Sequence, residues 1–433
     1  MRMALKKRGF EADFEAVLGF DDERRELLSK NEKRRAKRNA VSAEIAKLKR
    51  DGELVAIVNA KIHDMQLLGE KISKTDAKLA KLESLIFAEL SALPNIPAEE
   101  VIEGGKEANK VVKTHLTPRK FDFEPKDHVT ICTELGLVDY ERGAKMSGSG
   151  SWVYKGMGAR LEWALLNYCI DFHIANGYEF ILPPHLLNYE SGFAAGQFPK
   201  FVDDVFLTNY GDSVQSTRFL LPTSETALIN MHRGETLKED ELPIKYAAYS
   251  PCYRKEAGGY GASERGMIRG HQFNKIEMFA FAKPEESEAL HNQMVESAEK
   301  LVEGLGLHYQ TVLLAAGDTG ASMQKTYDIE VHIPSMHEIA GGYKEISSAS
   351  NAGDFQARRA NIRFKRASGI KTPAGTVEVP LKRESAYVHT LNASGLATSR
   401  LVPAILEQFQ NSDGSVTIPE VLRKYMGGAE KIS

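Results

Sequence analysis

The sequence predicts an α+β protein in two parts: an N-terminal antiparallel helical arm, residues 1–105, and a globular body of strands and helices, residues 106–433. Three observations predict it. Asp21 to Arg50 contains neither Pro nor Gly and is built mostly of strong helix formers, and a second periodic run follows it. Beyond Phe121 the chain changes to Gly-rich loops, period-two alternation and interspersed helical segments. Charge is also segregated. Residues 30–50 hold nine bases (Lys30, Lys33, Arg34, Arg35, Lys37, Arg38, Lys47, Lys49, Arg50) against Glu32 and Glu44, so this stretch is +7 in a chain of net charge −3.

With 433 residues, 42% of them hydrophobic, the chain can bury a large core. The near-neutral total excludes a wholly basic binder. Cys132, Cys169 and Cys252 lie far apart with no CxxC, which excludes a disulfide framework or a cysteine-rich zinc site. No apolar run reaches membrane-spanning length, and Glu11, Asp13 and Glu15 directly after the basic opening argue against a presequence. The expected setting is soluble, cytoplasmic and reducing, with no membrane partner.

In the arm, Val41, Ile45 and Leu48 recur at helical spacing before a turn at Asp51-Gly52. Val58, Ile62, Met65, Ile72, Leu79, Leu82, Ile86, Leu90 and Leu93 then form a near-heptad seam, interrupted by Gly69 and ended by Pro94. The basic stretch reads either as a solvated coiled-coil face or as a stripe for a phosphate backbone. Few aromatics interleave with the bases, so structured RNA fits better than stacked single strands. Residues 94–120, with Pro94, Pro97, Gly104, Gly105 and Pro118, read as a linker.

In the body, Arg160 to Ala175 is apolar nearly all round and reads as a buried helix stopped at Asn176-Gly177. A strand from Tyr178 to Leu182 should follow, ended by Pro183-Pro184. Two strands are expected over Tyr246–Glu256 and His271–Phe281, joined by a loop holding Gly258, Gly259, Gly261, Glu264, Arg265 and Gly266. Period two puts Arg254 with Glu256, and His271 with Phe273, Lys275 and Glu277, while Ile276 and Met278 face the other way. Such a face is either solvated or a cleft for an anionic ligand carrying a base, because Arg forks bind phosphate and rings stack on bases. Leu221 to Thr226 reads as a helix N-cap or a hydroxyl-and-carboxylate turn. Tyr343 to Ser348 reads as a strand end or a carboxylate–hydroxyl pair for Mg²⁺. Thr390 to Phe409 reads as a strand feeding a helix, with Arg400 near its start. No P-loop, Rossmann, HExxH or GxSxG signature is present.

These pieces, in this order, resemble the seryl-tRNA synthetases of the ordinary bacterial type, a class II aminoacyl-tRNA synthetase family, over nearly the whole chain. Motif 1 looks like Gly177 to Pro184, motif 2 like Tyr253–Glu256 through His271–Glu277, and motif 3 like Leu391 to Arg400 running on to Glu407. Glu345–Ser348, Asp354–Arg363 and Ile418–Leu422 also match.

The resemblance implies an antiparallel sheet flanked by helices, a homodimer formed through motif 1, and an arm that grips tRNA(Ser), in which Arg34, Arg35, Lys37 and Arg38 are the expected contacts. The implied activity is serine–tRNA ligase: L-serine is activated with ATP and Mg²⁺ to seryl-adenylate, then passed to the 3′ end of tRNA(Ser), with tRNA(Sec) as an optional second acceptor. Arg254, Glu345 and Arg400 would be catalytic, Arg254 on the α-phosphate. Phe273 and Arg400 would sandwich adenine beside Glu256, and Lys255, Ile346 and Ser347 would complete the ATP site. Glu345 and Ser348 would hold Mg²⁺, while Thr223, Ser224, Glu225, Glu277 and Ser394 would bind serine.

The sequence departs from the family pattern at Ala393, Thr398 and Ser399 in motif 3, and at Ala349 where Cys is common. Pro403 is expected to kink or restart its helix, and an additional segment occupies 368–385. Two further readings stand beside the ligase. One is a paralogue that charges another carrier, which the retained arm disfavours. The other is a non-catalytic RNA-binding protein, against which Arg254, Glu277, Glu345 and Arg400 argue.

Overall fold

The computed structural model describes residues 1–209, 217–256, 266–336, 340–366, 370–372, 375–377 and 385–433, without the side chains of 340, 370–372 and 375–377. Gly258, Gly259, Gly261, Glu264 and Arg265 of the Gly-rich loop lie outside the described residues, as does most of 368–385.

Helix α1 (Arg2–Lys7) is followed by two long helices, α2 (Glu15–Arg50) and α3 (Val55–Ala92). The turn between the long helices follows from Gly52, whose φ of 75° lies in the left-handed region that glycine enters at no steric cost. There the Glu53 amide reaches back to the Leu48 carbonyl, the closure of a glycine C-cap. At 38 residues α3 is about 57 Å long. Val58, Ile72, Leu79 and Leu82 of the expected seam are buried, whereas Leu90 is exposed. Gly69 does not break the helix. Polar clamps supplement the seam: Asn31 donates to Asp76, Arg34 to the Thr75 hydroxyl (2.7 Å), and Arg35 to both Asp76 oxygens (2.8 and 2.9 Å).

The body is organised on eight strands: β1 (Lys110–His115), β2 (Glu179–Ile181), β3 (Ile244–Tyr253), β4 (Gln272–Ala282), β5 (Tyr309–Leu313), β6 (Lys325–His332), β7 (Tyr343–Gly353) and β8 (His389–Ala397). Their spatial order is β1-β5-β6-β7-β8-β4-β3-β2, antiparallel throughout except where β2 runs parallel to β3. Helices α4 (Gly156–Ala175), α5 (Ser287–Gly304) and α6 (Thr398–Gln408) contribute to one core with the sheet. Leu161, Leu165, Met294, Leu301, Leu401 and Ile405 meet Ile276 and Met278 there. The alternation read from the sequence around Ile276 therefore places that face in the core.

Four expectations change. The compact units are 11–93, and 1–10 together with 94–433, rather than 1–105 and 106–433. Leu5, Asn95, Pro97 and Val101 are buried in the body, and the Ala98 amide bonds to the Gln324 carbonyl. Residues 110–115 are not linker but an edge strand, whose partner Tyr309–Leu313 is too distant in sequence for local pattern to show. Helix α4 is not buried all round: Trp163 and Ile174 are 53% and 50% exposed. Helix α6 runs on through Pro403, which is buried with Leu401 and Val402; packing there outweighs a penalty of about 3 kcal/mol. Among the described residues no helix is long and apolar enough to cross a membrane.

Candidate active site

The face of the sheet formed by β6, β7, β8, β4 and the end of β3 lines a cleft of about 490 Å³, bordered by Thr223, Glu225, Arg254, Lys275, Asp328, Glu345, Ser348, Asn392, Ser394 and Arg400. Strand register explains the membership. Ser394 lies directly across from Glu277, and an extra residue in β8 separates that pair from Lys275 and Ala397. In β7, Glu345 pairs with Glu330 and Ser347 with Ile329, so Ile346 is the extra residue of a β-bulge. Without that bulge Glu345 and Ser348, three apart, would point to opposite faces. With it both reach the cleft.

At one end sits a buried polar cluster. Glu277 is wholly buried and ion-pairs with Lys275, while Asn392 Nδ2 donates to its Oε1 at 3.1 Å. Thr223 accepts from Lys275 Nζ (2.8 Å) and donates to Glu277 Oε2 (3.3 Å). Beside them Glu225 accepts from Gln356 Nε2 at 2.6 Å. Burial, and then the charge of Glu277, pushes its carboxyl up to about 7. The cluster therefore presents carboxylates and a hydroxyl to a small polar molecule with an amine.

The other end is cationic and aromatic. Arg254, Glu256, Phe273 and Arg400 line one small cavity, with the Arg254 guanidinium 5.1 Å from the centre of the Phe273 ring. Arg254 is anchored by a bond to the Pro222 carbonyl, and Glu256 pairs with Arg269 at 2.5 Å. Arg400, in the first turn of α6, donates to the Glu345 carbonyl at 2.6 Å and lies 3.4 Å from its carboxylate. Between the two ends, Ser348 donates to Asp328 Oδ1 at 2.6 Å. Burial and the neighbouring Glu345 hold the Asp328 carboxyl well above the carboxylate range. A flat base, a polyphosphate and an amino acid fit this sequence of surfaces.

The model of the class II tRNA synthetase core domain for Gly, His, Pro, Ser and Thr matches residues 209–409, and that of the seryl-tRNA synthetase N-terminal domain matches residues 1–97. The chain is 55% identical over 427 residues to serine–tRNA ligase 2 of Clostridium acetobutylicum, covering 99% of this chain and 96% of that one. It belongs to the seryl-tRNA synthetase family. A serine–tRNA ligase of Thermodesulfovibrio yellowstonii is 46% identical over 431 residues, covering 99% and 96% of the two chains. The crystal structure of the seryl-tRNA synthetase of Pyrococcus horikoshii complexed with ATP superposes with a TM-score of 0.85 at 32% identity, covering 100% of this chain and 96% of that one.

Within this seryl-tRNA synthetase fold, some expected residues turn away from the cleft. Ser224 is buried and bonded to the Ser250 hydroxyl, Ile346 is buried in the core, and Ser347 donates to the Ser394 carbonyl at 2.6 Å. Lys255 and His271 line a separate aromatic cavity with Trp152, Tyr154 and Tyr253. In the arm, the half-buried Arg34 and the exposed Arg35 hold α3, and Lys37 and Arg38 are exposed. Conversely, Lys275, Asn392, Gln356 and Asp328 are site residues to which the motifs assigned no role. Alternation along β4 already put Lys275 on the right face; for the other three no local signal exists.

The motif 3 departures are accommodated. Ala393 and Ala349 are cross-strand partners, both fully buried. Two small side chains thus face each other across the strands, and neither leaves a polar atom to satisfy. The Thr398 hydroxyl is bonded to the buried Glu162 carboxylate and lies 3.1 Å from the Asn274 carbonyl, so its polarity is satisfied.

Proposed function

We infer that the chain is a serine–tRNA ligase, which activates L-serine with ATP and transfers the seryl group to the 3′ end of tRNA(Ser), with tRNA(Sec) as an optional further acceptor. The observation that carries this reading is the buried Thr223–Lys275–Glu277 cluster, which offers a hydroxyl and charged groups to a small polar amino acid, in one cleft with Arg254 and Arg400. Glu225 takes the ammonium group, and Thr223, Glu277 and Ser394 the remaining polar atoms of serine. The serine carboxylate attacks the α-phosphorus and the bond to pyrophosphate breaks. This nucleophile is ionised at neutral pH, so no general base is needed. Arg254 stabilises charge on the α-phosphate, and Phe273 and Arg400 clamp adenine beside Glu256, so catalysis is positioning plus electrostatics. Ser224, Lys255, Ile346 and Ser347 support the site through backbone and packing.

Glu345 and Ser348 suit Mg²⁺ shared with the nucleotide. Ser348 donates its proton to Asp328, leaving oxygen lone pairs for a hard cation, which commonly takes one or two carboxylates plus phosphates. When bound, Mg²⁺ supplies charge neutralisation on the phosphates. A homodimer through motif 1 is supported by the exposed Trp163, Ile174 and Leu182 on α4 and after β2. Lys37 and Arg38 offer the arm's free charge to the tRNA, in the cytoplasm. Amino-acid-dependent ATP–pyrophosphate exchange across the twenty amino acids tests the reading. Serine should support exchange by a wide margin, and exchange driven by another amino acid, or by none, overturns it.

A further inference from the structure

Five consecutive carbonyls, those of Thr319, Gly320, Ala321, Ser322 and Met323, are each met by a donor from one of only two residues. Arg8 supplies three: Nη1 donates to Thr319 (2.8 Å) and Gly320 (2.9 Å), and Nη2 to Met323 (2.5 Å). Asn95 supplies the other two, through its backbone amide to Ala321 (2.7 Å) and Nδ2 to Ser322 (2.9 Å), while Nδ2 also reaches the Ala352 carbonyl at 2.7 Å. Asn95 is buried. In the chain Arg8 lies just before the arm and Asn95 just after it, yet both belong to the body.

The segment they hold is a wall of the cleft. Asp318, Gly320 and Met323 line it together with Thr223 and Glu225. Its outer side packs against the support of Glu225. A Cβ placed on Gly196 would come within 3.0 Å of Ser322 Cβ, and the adjacent Ala195 carbonyl accepts from Gln356, whose amide also binds Glu225. A loop of this composition, Gly317-Asp-Thr-Gly-Ala-Ser322, has little intrinsic preference for one conformation. It makes a few turn bonds of its own, among them the Met323 amide to the Gly320 carbonyl at 2.9 Å, and the rest of its carbonyls are held from outside.

We propose that Arg8 and Asn95 are positioning residues for serine, a latch that fixes the 319–323 wall against the amino-acid end of the cleft. This rests on the serine–tRNA ligase reading of the same site. Neither residue lines the cleft. Their effect passes through five carbonyls to Gly320 and Met323, and through Ser322 to the shell around Glu225. Arg254 and Arg400 border the same cleft, but the small cavity that holds Glu256 and Phe273 at the adenine end takes no residue from the wall, so the latch acts on serine far more than on ATP.

Full-length Arg8→Ala, Arg8→Lys and Asn95→Ala proteins are compared with the wild type in pyrophosphate exchange, with serine and ATP varied separately, and in thermal unfolding. Loss of two or three hydrogen bonds to the wall should raise the KM for serine roughly tenfold in Arg8→Ala, with the KM for ATP within about twofold of wild type. Asn95→Ala should move the same constant in the same direction. Arg8→Lys should recover part of the loss, because an ammonium reaches fewer carbonyls than the guanidinium fork. Serine KM values unchanged in both alanine variants overturn the latch and leave the ligase reading standing. Serine KM, ATP KM and kcat worsening together with a lowered Tm also overturn it, since that marks general loosening. A wild-type chain without serine-dependent exchange overturns the ligase reading itself.

Discussion

Glu277 offers the sharpest test of the serine pocket, provided the substitution respects its surroundings. It is fully buried, ion-paired with Lys275, and accepts from Asn392 and Thr223. Glu277→Ala therefore does two things at once. It removes a proposed substrate contact, and it strands the Lys275 ammonium, which is itself only 5% exposed. Breaking a buried pair from one side costs about 3–5 kcal/mol of stability, enough to confuse a binding defect with a folding defect. Glu277→Gln also removes the counter-charge of Lys275 but keeps the volume and a carbonyl acceptor for it, so its stability cost should be below that of Ala. What it loses is the charged acceptor proposed for a polar atom of serine, a bond worth about 1.5–3 kcal/mol, or roughly 10- to 100-fold in kcat/KM for serine. Serine-dependent pyrophosphate exchange read against serine and then against ATP separates the effects, with Tm measured alongside. The expected result for Glu277→Gln is a large fall in kcat/KM for serine with the ATP constant nearly unchanged. If serine kcat and KM stay at wild-type values in Glu277→Gln while Glu277→Ala merely unfolds earlier, the carboxylate is only the partner of Lys275 and the pocket is misassigned.

Arg254→Ala should depress exchange by on the order of 10²–10³, the usual effect of removing one donor to developing charge; exchange within tenfold of wild type would falsify its role at the α-phosphate. The Glu225 carboxyl titrates near 7 when folded against an ordinary 4.5. The folded chain thus binds the extra proton between those values, and stability falls as pH rises through that window, then levels off above it. Over the same window ionisation should tighten serine binding, so the serine KM falls toward pH 7. Glu225→Gln should flatten both profiles, and a pH dependence surviving in that variant refutes the assignment. Replacing the two arm helices, 15–92, by a short linker should leave exchange intact and sharply reduce serylation of tRNA; normal charging by the armless protein would make the basic stretch a solvated face. Reversing Lys37 and Arg38 should lower the log–log salt slope of tRNA binding by about two, at one counterion per lost phosphate contact. Reversing Arg35, in contrast, should also lower the unfolding temperature of the arm, because it faces Asp76.

Much of this protein is written locally. The arm follows from helix propensity, a near-heptad seam and one glycine turn, because helical contacts are made between residues three and four apart. The motif faces were legible for the same reason: in a strand, period two assigns Phe273, Lys275 and Glu277 to one side and Ile276 and Met278 to the other. Local pattern fails where a contact joins distant segments. The bulge at Ile346, which brings Glu345 and Ser348 to one face, exists only in register with β6. Nothing near Arg34 or Arg35 announces Thr75 and Asp76, and nothing near Glu277 announces Asn392. The domain boundary is the clearest case. Pro94, Pro97 and the Gly104-Gly105 pair look like linker by composition, yet a backbone group needs only some partner, and here the Asn95 and Ala98 amides donate to Ala321 and Gln324 and the Gly104 carbonyl accepts from Gly317, all in the body. Sequence alone determined which residue types could bind a nucleotide and an amino acid. Tertiary structure decided which of them face the cleft, which are paired and buried, and that Arg8 and Asn95, on either side of the arm in the chain, between them hold five consecutive carbonyls of its wall.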